Sequence, residues 1–274
     1  MKAAARAAAA RTGVLGSLLL QRELSMAGQD RLKRGERGLI GTWAKIPALE
    51  TVEMLGHAGF DFVVIDLEHA PLGLETAYRM IVMAQAMGMA ALVRLSDRSD
   101  AQIQRLLDAG ADGLLVPHVS GPDMAARVTR AMVFAPRGTR GLGATSRAGR
   151  WGLMPVADYV ARGDGCLRMV QLESWDALTK AETFLGVQSV GGVFVGLGDL
   201  FLSSGRRAED AATRAMVREI AQTARRAGKM SGIAAASAEE ARGYLEDGYS
   251  LVMVSNDATL FARAAQAAVS AAKV

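Results

Sequence analysis

Two carboxylates and an imidazole directly follow an apolar run near residue 65. The run 63–65 is entirely aliphatic, and Asp66, Glu68 and His69 come within the next four positions. Charged groups are costly to bury, so a core strand that ends in several ionisable residues presents them at its end. This pattern predicts a functional site at the end of that strand.

The same arrangement recurs after later apolar runs. The polar residues that end or follow these runs are Arg94, His118, Glu173 and Asp199. A polar residue that closes one strand is usually a cap or a solvated loop residue, but five successive strands with this feature weaken that interpretation. Because the carboxyl ends of parallel strands gather on one side of a sheet, we expect these side chains to converge.

Glu173 and Asp199 are candidate metal ligands. Both follow apolar strand-like runs, no thiol accompanies them, and the one nearby histidine, His69, follows the earlier strand that ends at Asp66. Oxygen ligands suit a hard divalent ion such as Mg²⁺ or Mn²⁺, with water and a substrate oxygen in the remaining positions, and zinc is less favoured. The alternative is that both carboxylates form salt bridges with neighbouring arginines.

Arg94 and His69 are candidates for substrate binding and proton transfer. A guanidinium keeps its charge, and its planar fork matches a carboxylate or an enolate oxygen. A structural ion pair with Asp66 or Glu68 is the alternative for Arg94. An imidazole can exchange a proton near neutral pH, so His69 is the candidate general base. We interpret His118 as a loop residue.

Eight short apolar runs alternate with segments of helical period. Predicted strands cover residues 39–44, 61–66, 90–94, 113–117, 167–173, 192–196, 230–234 and 250–254. Predicted helices include residues 48–58, 74–87, 101–109, 176–185, 211–227 and 238–247. Eight strand–helix units close into a (β/α)8 TIM barrel through right-handed crossovers. An open doubly wound sheet is the alternative, although no G-x-G-x-x-G turn follows the first strand.

The segment 135–161 is longer than an ordinary connection and contains four arginines and a tryptophan. Long connections within compact domains often have a functional role, so the length favours an active-site loop.

Length and composition are those of one barrel with an extension. The chain has 274 residues, 50% of them hydrophobic, and a formal net charge of +4. Residues 1–37 are predicted to be an Ala/Arg-rich extension, disordered or produced by an overlong start, and 38–274 a single catalytic domain. Part of the positive charge lies in the extension, so nucleic-acid binding is not expected. The single Cys166 excludes an internal disulfide.

The apolar stretch 13–20 is too short to span a bilayer. A targeting peptide is the alternative to an overlong start, because positive charge precedes this stretch. We expect a cytoplasmic protein without a membrane segment.

Several motifs, taken in chain order, resemble the HpcH/HpaI aldolase/citrate lyase family and, within it, the class II pyruvate aldolases. The motifs are Asp66-x-Glu68-His69-Ala70-Pro71, Val93-Arg94, Leu114-Leu115-Val116-Pro117, Arg137-Gly138-x-Arg140-Gly141, Gln171-x-Glu173 and Gly196-x-x-Asp199-Leu200. The resemblance runs from about Leu39 to the C-terminus, and the ordered set is more specific than any one motif. It implies a barrel of the phosphoenolpyruvate/pyruvate-binding type.

The resemblance implies roles for individual residues. Glu173 and Asp199 match metal ligands for Mg²⁺ or Mn²⁺, with Co²⁺ also acceptable. Arg94 matches the arginine that binds pyruvate and its enolate, His69 the general base, and Asp108 an acidic partner of that histidine. Further substrate-binding or neighbouring positions are Trp43, Asp66, Gln171 and Gly198.

The implied activity is reversible cleavage of a 4-hydroxy-2-oxo acid into pyruvate and an aldehyde, in the breakdown of aromatic or sugar acids. A malyl-CoA or citryl-CoA type lyase and a non-catalytic binding barrel are the alternatives. The apolar face of residues 257–274 predicts an oligomer, and the resemblance implies a hexamer built as a trimer of dimers.

Three features depart from the family pattern. Leu197 stands where the family usually has proline, Phe201 stands where a small serine is common, and the loop 143–151 is one residue shorter. These departures leave the aldehyde open.

Overall fold

The computed structural model describes residues 28–32 and 38–273. The predicted extension lies outside the described residues except for 28–32, which are helical. Leu32 is buried with residues of the barrel interior, and Arg31 forms an ion pair with Asp61 at 2.8 Å, immediately before the second strand. This short helical segment therefore packs against the amino ends of the strands.

Eight parallel strands form a closed barrel in which each strand pairs with the next along the chain and the last pairs with the first. The strands are β1 Leu39–Ala44, β2 Phe62–Asp66, β3 Ala90–Arg94, β4 Gly113–Val116, β5 Leu167–Leu172, β6 Gly192–Val195, β7 Met230–Ala235 and β8 Leu251–Asn256. The predicted (β/α)8 barrel is confirmed, and every predicted strand is present within two residues of its predicted ends.

Helices follow the strands around the barrel. They are α1 Leu49–His57, α2 Leu74–Ala86, α3 Asp100–Asp108, α4 Pro122–Arg130, α5 Val156–Asp164, α6 Trp175–Thr179, α7 Ala181–Gly186, α8 Leu197–Ser204, α9 Ala211–Arg226, α10 Ala238–Glu246 and α11 Asp257–Ala272. The helix predicted at 176–185 is two helices, because the backbone leaves helical geometry at Lys180. Three helices were not predicted, namely α4, α5 and α8.

The core has two layers, as expected for strands buried on both faces. An outer layer of aliphatic side chains lies between the strands and the helices. A smaller cluster fills the barrel interior, where Trp43 and Phe194 meet edge to face at 6.0 Å. These two rings form the floor beneath the carboxyl ends of the strands.

The segment 135–161 does not lie over the site of its own chain. Helix α4 carries the chain back to the amino ends of the strands before this segment begins. There Arg147 donates to the carbonyl oxygen of Ala109 at 2.9 Å and to Gln85 at 2.8 Å, near the ends of α3 and α2. The prediction of an active-site loop is therefore wrong within the single chain.

No helix among the described residues has both the length and the apolar character needed to cross a membrane.

Candidate active site

Polar side chains from several strands meet at the carboxyl end of the barrel. Asp66 and Arg94 are the last residues of β2 and β3, and the parallel register sets them directly beside each other. Glu173 follows β5, and Asp199 lies in the first turn of α8, just after β6. The strand ends thus bring together the residues that the sequence predicted at one end of the barrel.

Arg94 is fixed on three sides. Its Nε donates to Asp66 Oδ1 at 2.8 Å and its NH2 to Asp66 Oδ2 at 2.7 Å. NH1 lies 3.0 Å from Glu68 Oε2, and the guanidinium sits 4.1 Å from the centroid of the Trp43 ring. The structural ion pair considered for Arg94 therefore exists with both acids. Since a guanidinium has five N–H groups, three are not donated to Asp66.

Lys45 is a site residue that the sequence analysis missed. It directly follows β1, and its ammonium group binds Asp66 Oδ2. Its backbone N–H donates to both carboxylate oxygens of the buried Asp257, at 2.9 and 3.0 Å. The strand-end rule that selected Asp66 and Arg94 would have found Lys45 if it had been applied to β1.

The carboxyl group of Asp66 is strongly acidic. Burial acts to raise its pKa, but hydrogen bonds and charges from Arg94 and Lys45 outweigh burial and lower the pKa from 3.8 to about 2. Asp66 also accepts hydrogen bonds from the backbone N–H groups of Glu68 and His69, both at 3.2 Å. The carboxylate therefore stays ionised and organises the end of β2.

His118 connects two acids of the site, although the sequence suggested only a loop residue. Its Nε2 lies 2.7 Å from Glu68 Oε1 and its Nδ1 lies 3.2 Å from Glu173 Oε2. Its backbone N–H also donates to Glu173 Oε2 at 2.8 Å. The residue has a φ of 54°, which is unfavourable for a side chain with a Cβ. Its contacts with Glu173 hold this conformation.

His69 stands at the mouth of the barrel. Its side chain is 58% exposed and its Nε2 is 3.8 Å from Glu68 Oε2. An exposed imidazole beside the buried acids is accessible to a substrate that enters from solvent.

Asp108 does not pair with His69 within this chain. It is the last residue of α3, so it lies near the amino ends of the strands, opposite the site. There its Oδ1 accepts from Arg140 at 2.9 Å and from the Tyr159 hydroxyl at 3.1 Å. The predicted partner of the histidine is therefore at the other end of the same barrel.

The surroundings of Glu173 suit a cation. Its Oε1 is buried without a hydrogen-bond partner, and so is the amide oxygen of Gln171. Burial, together with the negative charges of Asp199 and Glu68, raises the pKa of Glu173 against the opposing influence of His118. A dication would relieve both the unpaired oxygens and the repulsion between the acids.

Gly196 leaves space for the side chains of this candidate metal centre. A Cβ built at this position would lie 3.0 Å from Gln171 Nε2 and 3.0 Å from Glu173 Cγ. Among the residues that the structure describes, no group of three His, Cys, Asp or Glu side chains is arranged as a complete metal cluster. The candidate donors are the carboxylates of Glu173 and Asp199, and oxygen donors of this kind are those that a hard ion prefers.

Comparison with known proteins agrees with the geometry. The profile of the HpcH/HpaI aldolase/citrate lyase family matches residues 39–264. The chain belongs to this family. A family member named 4-hydroxy-2-oxo-heptane-1,7-dioate aldolase from Klebsiella pneumoniae is 37% identical over 248 residues, which cover 89% of this chain and 92% of the relative.

Two further relatives support the assignment. The protein of the same name from Escherichia coli is 37% identical over 240 residues, 86% of this chain and 90% of the relative. A family protein from Burkholderia cenocepacia J2315 has a crystal structure that superposes with a TM-score of 0.81 at 30% identity. That match covers 90% of this chain and 98% of the other. Sequence and fold together therefore support an enzyme of the aldolase and lyase class.

Proposed function

We propose that this protein is a divalent-metal-dependent pyruvate aldolase. It reversibly cleaves a 4-hydroxy-2-oxo acid into pyruvate and an aldehyde. The observation that carries the proposal is the unpaired, buried Glu173 Oε1 at the barrel end that also holds Asp199 and the fixed Arg94. Relatives named as aldolases of such an acid, 37% identical to this chain, support the same reaction.

Glu173 and Asp199 are the residues that would hold the metal, with Mg²⁺ or Mn²⁺ preferred and Co²⁺ acceptable. When bound, the dication supplies positive charge close to the ketone oxygen of the substrate. The side chains of Gln171 and Glu173 both approach Gly196, and the unpaired amide oxygen of Gln171 is available to a water or a substrate hydroxyl.

Arg94 stabilises the enolate in this proposal. As the C3–C4 bond breaks, its electron pair moves into the C2–C3 bond and negative charge develops on the C2 oxygen. The N–H groups of Arg94 that Asp66 does not accept can donate to that oxygen. Because Asp66, Glu68 and Trp43 already fix the guanidinium, little reorganisation is needed when the charge appears.

His69 acts as the general base. It takes the proton of the 4-hydroxyl group while the C4–O bond becomes the aldehyde carbonyl, and in the condensation direction it returns that proton to the alkoxide. General base catalysis of this kind contributes about 10²- to 10⁴-fold. The exposed position of His69 at the mouth places it on the side where the aldehyde leaves.

Gly198 and Trp43 complete the binding site for the 2-oxo acid. Gly198 lies in the first turn of α8, where backbone N–H groups lack partners within the helix and can donate to a carboxylate. Trp43 supports Arg94 from below and limits the depth of the site.

The proposed assembly is a homo-oligomer, a hexamer built as a trimer of dimers. Helix α11 is exposed from Leu260 to its end, and Phe261 on it is 71% exposed. Trp151 and Leu153 are also exposed in the segment that carries Asp108's partners. Large exposed apolar side chains of this kind are typical of subunit interfaces. An oligomer would also allow Asp108 of one subunit to reach His69 of another.

The test is exchange of the methyl protons of pyruvate in D2O, followed by proton NMR. This half-reaction needs the metal, Arg94 and a base, but no aldehyde. We expect exchange with Mg²⁺ or Mn²⁺, loss on chelation, and at least a 100-fold lower rate in Glu173→Gln.

Asp176→Asn is the matched control for that test. Asp176 lies three residues after Glu173 but is exposed and paired with Lys180 at 2.8 Å, so this variant should keep wild-type exchange. A protein that exchanges no protons with any of the three metals, or a Glu173→Gln variant as fast as wild type, would overturn the proposal. Cleavage of malyl-CoA or citryl-CoA without aldolase activity would show that the protein is a CoA-thioester lyase instead.

A further inference from the structure

A large cleft opens beside the candidate active site. Its volume is about 860 Å³, and it lies between α8 and the start of α10. Gly198 and Ala234 line its inner end, and Ala234 packs against the interior cluster that contains Trp43 and Phe194. The cleft therefore adjoins the mouth of the barrel where the 2-oxo acid is proposed to bind.

Two large apolar side chains of α8 line this cleft. Leu197 and Phe201 are four residues apart, so they share one face of the helix. Phe201 is 43% exposed, and the Arg207 guanidinium lies 5.6 Å from its ring centroid. No heavy atom comes within 4 Å of a Cβ built on Gly198, so the space beside this face is open. The cleft thus offers an exposed aromatic surface.

The charges around the cleft are mixed. Two arginines, Arg207 and Arg214, and three glutamates line it, namely Glu209, Glu239 and Glu240. Glu240 accepts hydrogen bonds from the Ala236 backbone N–H and the Tyr244 hydroxyl. Since the arginines do not outnumber the acids, the lining gives no net attraction for a carboxylate.

We propose that this cleft receives the substituent of the aldehyde and that the preferred substituent is a neutral aromatic ring stacked on Phe201. The inference rests on the proposed aldolase activity and names its substrate class. Transfer of an aromatic ring from water onto the face of Phe201 is favoured by burial of apolar surface and by the interaction between the two rings. A distal carboxylate in the same place would meet the charges of three glutamates as well as those of the two arginines, so the lining does not favour it over a neutral group.

The experiment compares the condensation of pyruvate with benzaldehyde, acetaldehyde and succinic semialdehyde, with kcat/KM measured for each. We expect wild type to favour benzaldehyde over both other aldehydes. Phe201→Ser and Phe201→Leu should each reduce the ratio of benzaldehyde to acetaldehyde kcat/KM by about 3- to 10-fold, the size expected for one aromatic pair. Phe201→Leu keeps most of the side-chain volume, so it separates loss of the ring from a change in folding.

Leu202→Ser is the matched control. Leu202 is the next residue on the same helix, is 80% exposed and does not line the cleft, so its variant should keep the wild-type ratio. Equal ratios in wild type and both Phe201 variants, or a preference for succinic semialdehyde, would overturn the aromatic assignment. If pyruvate exchange persists in that case, the aldolase proposal stands and the cleft assignment alone fails; without exchange, both fail.

Discussion

Replacement of Asp66 by asparagine tests the electrostatic centre of the site. The Asp66 side chain is fully buried, and Arg94 and Lys45 keep its pKa at about 2 although burial opposes them. One pKa unit corresponds to about 1.4 kcal/mol, so the lowered pKa contributes roughly 2.5 kcal/mol to the free energy of unfolding at pH 7. Asp66→Asn removes this contribution and places the amide N–H donors of asparagine next to the charged N–H donors of Arg94 and Lys45.

The lowered pKa of Asp66 also determines how the stability difference between wild type and Asp66→Asn changes with pH. A carboxyl group with a lowered pKa in the folded state stabilises the protein above its unfolded pKa of 3.8. That stabilisation is lost as the pH falls through the folded pKa near 2. The free energy of unfolding of Asp66→Asn should therefore be about 2 to 3 kcal/mol below wild type at pH 7, and the pH-dependent part of the difference should halve, to roughly 1.3 kcal/mol, at pH 3.

Urea unfolding, followed by tryptophan fluorescence at pH 7, 5, 4 and 3 and one protein concentration, measures this difference. Asp100→Asn is the control. Asp100 is exposed and lies 3.6 Å from Arg127, and an exposed ion pair of this kind contributes less than about 1 kcal/mol to the free energy of unfolding. The reasoning is refuted if Asp66→Asn is as stable as wild type at pH 7, or if the difference is the same at pH 7 and pH 3.

Two further pairs of variants test the positioning of the site and the assembly. Lys45→Met should lower kcat/KM for pyruvate exchange about 10-fold, because Asp66 loses a contact that fixes it and therefore holds Arg94 less firmly. Lys45→Arg should recover most of the rate. Equal rates in the two variants would contradict this role. Asp108→Asn and His69→Ala subunits should each be impaired alone but regain activity when unfolded and refolded together, if the pair forms between subunits; a mixture no more active than its separate components would exclude that pairing.

The barrel could be predicted because its signals are local. Each strand is a short apolar run, and each helix has its own period, so the alternation is visible without knowledge of contacts. Among the helices that escaped prediction, α4 has a clear local signal, with Pro122 at its first position and Asp123 in its first turn, whereas the signal of α8 is weak. Helix α8 contains two serines and a glycine in eight residues, and its start at Leu197 depends on the end of β6.

The site was predictable to the extent that it follows strand direction. Asp66, Arg94 and Glu173 each end or follow a parallel strand, and parallel strands in a barrel end on the same side. Asp108 was assigned to the site by resemblance, although it ends a helix and such residues face the opposite side of the barrel. Residues at the carboxyl ends of strands therefore meet within the chain, whereas a residue at the carboxyl end of a helix lies on the opposite side of the barrel.

The sequence by itself determined the order of strands and helices and the side of the barrel on which the acids, the arginine and the histidines emerge, because these depend on periodicity and chain direction. Only the tertiary structure decided which groups touch. Lys45 meets Asp66, and His118 spans Glu68 and Glu173, through closure of the barrel and the backbone angles of single residues. Such contacts join positions far apart in the chain, so no local pattern encodes them.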